Sequence, residues 1–212
     1  MQTRGQFITF EGIDGSGKTT QMHLLAARLR REGREVLETV EPGGTEVGAQ
    51  IRRILLDSAN QDLRPTAELL LYFASRAQNV EQSIRPALDQ GKIVLCDRFT
   101  DSTLAYQGYA RGLGEEIVLT LDRIACRGLA PDLTLLIDVD LETGLARARM
   151  RNVGTAGSET RMDDQSLEFH RKVREAYLDL ARKHPGRICT IDGRGAPDAV
   201  ANRIWEAVVA HV

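Results

Sequence analysis

The residues best suited to chemistry lie near the start of the chain, in Gly12-Ile13-Asp14-Gly15-Ser16-Gly17-Lys18-Thr19-Thr20. The stretch satisfies the pattern GxxxxGK[ST], and its spacing has a physical basis. Glycines let the backbone turn tightly enough for several N–H groups to face one phosphate, and a following helix adds its N-terminal dipole. Lys18 is placed to bridge the β- and γ-phosphates of a nucleoside triphosphate, and the Thr19 hydroxyl to hold Mg²⁺. Two further apolar runs, Leu95-Cys96-Asp97 and Leu136-Ile137-Asp138, end in carboxylates that could complete the metal site. Asp97 is favoured because Arg98 follows it and could reach a transferred phosphate.

A second cluster lies far down the chain. Arg147, Arg149, Arg151 and Arg161 face only Glu159 in charge between residues 147 and 161. The intervening Val153-Gly-Thr-Ala-Gly-Ser-Glu-Thr160 lacks apolar periodicity and carries two glycines, which predicts a surface loop. A phosphotransferase must close over two substrates and exclude water, and a cation-bearing lid spanning about residues 147–163 does this. A guanine-reading NKxD tetrad is absent, which argues against a GTPase switch.

The elements that must position these groups read as alternating strands and helices. Strands are expected at Phe7–Glu11, Val36–Val40, Ile93–Cys96, Leu133–Val139 and Arg187–Ile191. Met22, Leu25, Ala26 and Leu29 mark a first helix; Val47, Ile51, Ile54 and Leu55 mark a second. A long helix is expected from about Thr66 to Gln90, with a core stripe through Leu70, Phe73, Ala77, Val80, Ile84 and Leu88. Continuously apolar strands between helices predict an α/β fold. It is a three-layer sandwich of the P-loop NTPase kind, a parallel sheet flanked by helices, forming one domain over residues 1–212.

Composition bounds the rest. A formal charge of -2 argues against a generic nucleic-acid coat, although 24 of the 28 basic residues are arginine. Cys96, Cys126 and Cys189 are scattered, as in a reduced cytoplasmic protein. No apolar stretch approaches the roughly 18 residues of a membrane span, and no nucleic-acid or membrane partner is expected.

Several segments together resemble the thymidylate kinases. They are Phe10-Glu-Gly-Ile-Asp-Gly-Ser-Gly-Lys-Thr-Thr20, Glu41-Pro-Gly-Gly-Thr45, Phe73-Ala-Ser-Arg76, Asp97-Arg-Phe-Thr-Asp-Ser-Thr-Leu-Ala-Tyr-Gln-Gly108 and Pro131-Asp-Leu-Thr-Leu-Leu-Ile-Asp138. The resemblance implies transfer of the γ-phosphate of ATP to dTMP, with Mg²⁺, in a homodimer paired through helices of the sheet layer. It implies that Phe73 stacks on thymine, that Arg76 donates to a thymine carbonyl, and that Gln107 and Thr103 read the base edge. Arg98 and Arg52 would grip the dTMP phosphate, with Arg53 competing for the second role, and Glu41 joins the acceptor-binding set. Asp14 would meet the sugar 3′-hydroxyl or metal-bound water, and Tyr106 would crowd a 2′-hydroxyl. Gly15 and Ser16 stand where some relatives carry a loop arginine, so the catalytic cation must come from the lid. Arg161 fits best, with Arg149 and Arg151 as alternatives. Val40 departs from the arginine that many relatives place before Glu-Pro-Gly-Gly. Two other readings stay open: a kinase of another nucleoside monophosphate, or a nucleotide-dependent regulator without catalysis.

Overall fold

The computed structural model describes residues 4–153 and 160–211, with residues 151–153 described in backbone only. Five strands form one sheet: β1 (Phe7–Glu11), β2 (Val36–Val40), β3 (Ile93–Asp97), β4 (Leu133–Asp138) and β5 (Ile188–Asp192). Their order is β2-β3-β1-β4-β5 and every pairing is parallel. Successive side chains of β1 alternate between two cores, as the pleat requires. Phe7 joins Leu69, Phe73, Val80 and Tyr177 on one face. Ile8 and Phe10 join Met22, Leu25, Ile204 and Val208 on the other. All strand expectations fall within one residue of the observed ends.

Helices α1 (Lys18–Arg31) and α9 (Pro197–Val209) cover the second face. α1 begins directly after Gly17, whose φ of 96° turns the loop into the helix; Arg28, Arg30 and Arg31 suit the negative end of its dipole. The other face carries α2 (Glu46–Leu56), α3 (Pro65–Asn79), α4 (Arg85–Asp89), α5 (Thr100–Thr103), α6 (Glu115–Cys126), α7 (Leu141–Val153) and α8 (Leu167–Lys183). The Thr45 hydroxyl caps α2 by accepting from Gly48 N at 2.9 Å, and Ser166 caps α8 by accepting from Phe169 N at 3.2 Å.

The long helix expected from Thr66 to Gln90 is α3 and α4 joined through a π-helical turn, Val80–Ile84. Pro86 explains the break, because its ring offers no N–H and would clash with the preceding α-helical turn. The stripe also differs by one residue: Leu69 is fully buried, whereas Leu70 is 51% exposed. Val47 and Ile54 of α2 likewise face outward, as do Ile117 and Ile124 of α6. α2 packs on α3 and α3 on α6, so these side chains lie across three neighbouring helices. Among the described residues, no helix is long and apolar enough to cross a membrane.

Candidate active site

A cleft of about 880 Å³ opens beyond the carboxyl ends of β1 and β3, where parallel sheets present their ligand sites. Its two ends are built differently.

The phosphate end is mostly backbone. The loop from Gly12 to Gly17 passes three glycines at positive φ before α1 begins. At Gly15 the requirement is also one of space. A Cβ there would lie 2.0 Å from the Gly144 carbonyl oxygen of α7, so loop and helix touch backbone to backbone. Lys18 folds back to donate to Ile13 O at 2.9 Å. Burial, reinforced by Arg98, lowers its pKa to about 8 despite three nearby carboxylates. Thr19 donates to Asp97 Oδ2 at 2.5 Å. A hydroxyl and a carboxylate, with triphosphate oxygens and water to complete the shell, suit Mg²⁺, a hard cation that takes few protein ligands. The Ser16 hydroxyl is buried without a partner among the described residues, which leaves it available to a ligand in the loop. Ile13 is buried, and Thr20 faces solvent on the first turn of α1.

Arg98 joins this end to the next. It sits just past β3 with φ 72°, a backbone region costly for a side-chain-bearing residue and typical of functional positions. Its guanidinium donates to Asp14 Oδ1 at 2.5 Å, Tyr106 OH at 3.2 Å and Tyr177 OH at 3.1 Å. Burial alone would raise the Asp14 pKa, but Arg98 and Lys18 hold it well below the ordinary carboxylate range, aided by the Tyr106 hydroxyl at 2.8 Å. Beneath Arg98, Glu11 accepts from Phe99 N at 2.7 Å, Ser102 at 2.5 Å and Tyr177 at 3.0 Å. Burial and the neighbouring Asp101 raise its pKa to about 7.

The acceptor end is made of side chains from separate elements. Arg76 of α3 is 1% exposed and donates to Thr103 Oγ1 at 2.9 Å. Its Nε lies 3.7 Å from Glu41 Oε2, close enough for an ion pair but not a hydrogen bond, and neither atom has a hydrogen-bond partner among the described residues. Glu41 accepts from Asn79 Nδ2 at 2.6 Å, and burial raises its pKa to about 7 against the pull of Arg76 and Asn79. Tyr106 and Gln107 lie in a second π-helical stretch, Leu104–Ala110, and line the cleft.

Expected residues divide as follows. Asp14, Lys18, Thr19, Glu41, Arg52, Arg76, Asp97, Arg98, Thr103, Tyr106 and Gln107 all line the one cleft. Arg52 donates to Pro42 O at 3.0 Å, whereas its neighbour Arg53 is exposed and outside the lining. Phe73 is placed otherwise. It points into the core at 4% exposure, and Tyr72 faces the cleft instead. The helix repeat explains the difference, since Tyr72 stands one α-helical turn before Arg76. Arg161 is also placed otherwise, at 2% exposure, with its Nε donating to Leu55 O at 2.5 Å and its Nη2 2.7 Å from Glu68 Oε2. It anchors its segment rather than offering charge to the phosphates in this conformation. Thr160, Met162 and Asp163 line the cleft beside it. Arg147 and Arg149 are exposed on α7, the Arg151 side chain is outside the described residues, and so is the lid segment 154–159. Tyr72, Asn79, Glu68 and Tyr177 were not anticipated; only Tyr72 carried a signal, its spacing from Arg76.

A family model described as thymidylate kinase matches residues 10–204. The chain belongs to the thymidylate kinase family. A thymidylate kinase of Pelobacter propionicus is 54% identical over 98% of this chain and 94% of its own length. One of Syntrophotalea carbinolica is 56% identical over 94% and 93%. A crystal structure of thymidylate kinase from Ehrlichia chaffeensis superposes with a TM-score of 0.79 at 36% identity, covering 97% of this chain and 99% of that one. Family membership makes the protein an ATP-dependent nucleoside monophosphate phosphotransferase and leaves no room for the non-catalytic regulator.

Proposed function

We infer that the protein transfers the γ-phosphate of ATP to the 5′-phosphate of dTMP, giving dTDP and ADP. The observation that carries this reading is the shared cleft: the phosphate loop at one end, and at the other a pocket with Tyr72, Arg76 and Gln107 in its wall. Tyr72 offers a ring face to the base, Arg76 donors to a carbonyl, and Gln107 an amide to the base edge. Arg98 and Arg52 supply charge for the acceptor phosphate, and Asp14 with Tyr106 borders the sugar. The acceptor is already an anion, so no strong base is needed. The protein's work is alignment and charge neutralisation by Lys18, Arg98 and an arginine of α7, Arg149 or Arg151, with Arg161 as the tether of their segment. Mg²⁺, when bound at Thr19 and Asp97, would neutralise phosphate charge.

The outward apolar face of α2, α3 and α6 supports a homodimer, because Val47, Ile54, Leu70, Ile117 and Ile124 are each at least 38% exposed. Sedimentation velocity should give a dimer mass, and Ile124→Glu should shift it towards one chain; a wild-type monomer would remove this reading.

The acceptor is tested by ADP release across dTMP, dUMP, dCMP, AMP and dGMP. dTMP should give the highest kcat/KM; a stronger response to any other nucleotide would reassign the pocket.

A further inference from the structure

Glu68 of α3 is a fully buried carboxylate that the phosphate chemistry does not use. Three side chains converge on it. Gln107 Nε2 donates to Oε1 at 2.9 Å. Arg111 lies 3.3 Å away through both Nε and Nη2. The guanidinium of Arg161 reaches Oε2 at 2.7 Å. The side-chain nitrogen of Gln107 donates to Glu68, so the amide is held by its NH₂ end. A side-chain amide donates at one end and accepts at the other. With its nitrogen held by Glu68, the Gln107 amide has its carbonyl oxygen left for the cleft it lines.

We propose that Glu68 is a positioning residue that sets base specificity by fixing the orientation of the Gln107 amide. The wall then pairs an acceptor at Gln107 with donors at Arg76. That combination matches a pyrimidine carrying N3–H beside a carbonyl, as in thymine or uracil. It opposes cytosine, whose N3 is an acceptor beside an amino group. An amide free to rotate would accommodate either. The proposal rests on the pyrimidine monophosphate reading above.

The test is Glu68→Gln, nearly isosteric but able to donate as well as accept, assayed with dTMP and dCMP at saturating ATP. The dTMP-to-dCMP ratio of kcat/KM should fall by about tenfold or more, through the nucleotide KM and with KM for ATP unchanged. A loss of activity on both nucleotides at constant ratio makes Glu68 a merely structural residue and overturns the proposal. Equal use of the two by the wild type would instead sink the acceptor reading. A second readout needs only the wild-type fold: the Gln107 side-chain NH₂ resonance, assigned by its loss in Gln107→Ala. Slow hydrogen exchange of that group, unchanged by dTMP, supports the fixed orientation. Exchange at the rate of a solvent-exposed glutamine overturns it.

Discussion

The two ends of the cleft solve similar problems with different materials. The phosphate end comes from one contiguous run whose backbone makes the site, with Lys18 and Thr19 as its main side-chain contributions. The acceptor end draws Glu41, Tyr72, Arg76, Thr103 and Gln107 from distant positions, supported by Asn79 and Glu68 from behind. A phosphate is recognised by charge and by many equivalent N–H groups, which a glycine loop supplies in one piece. A base must be recognised by the direction of particular donors and acceptors, and these have to be held from several sides.

This contrast predicts that damage at the first end is chemical and damage at the second is selective. The largest effect should come from Lys18→Ala, with a fall in kcat of about 10²–10³-fold. Its melting temperature should stay near the wild type, because the buried ammonium costs desolvation; a collapse in stability with normal turnover in the folded fraction would break the contrast. The same lysine gives the pH dependence. Its pKa in the free protein is lowered to about 8, so the cationic form that meets phosphate prevails below that pH. kcat/KM for ATP should therefore be flat below pH 8 and fall about tenfold per unit above it. A profile level to pH 9 would show that Lys18 stays charged there.

The smallest effects should separate Tyr72 from Phe73. Tyr72→Leu should raise KM for dTMP about fivefold, the size of a lost aromatic contact, with KM for ATP unchanged. Phe73→Leu should lower the melting temperature and leave both KM values alone. The reverse pattern would return the base contact to Phe73.

What could be read from the sequence follows the same division. Strands, phosphate loop and Asp97-Arg98 were legible because each is local: apolar runs, glycine spacing and a carboxylate at a strand end. Tyr72 and Phe73 were not separated because both are aromatic and only the rotation of α3 decides between them. Leu69 and Leu70 posed the same difficulty. Arg161 was read as a free lid cation because its partner, Glu68, lies 93 residues earlier and no local pattern joins them. Glu41, Asn79 and Arg76 form a buried polar group of the same kind, whose partners meet only after the sheet and α3 are in place.

The bare contact between Gly15 and Gly144 gives α7 a fulcrum. Backbone meets backbone at that point, with the Ile13 side chain packed beside it, so the helix cannot advance on the loop without displacing the backbone that cradles phosphate. What remains to it is rotation about that point. Arg151 lies seven residues beyond Gly144, a lever arm of about 10 Å, and a tilt of about 10° moves its backbone by about 2 Å. The loop is shaped as a bearing: a tilt of the helix would carry the arginines while the glycine contact stayed in place.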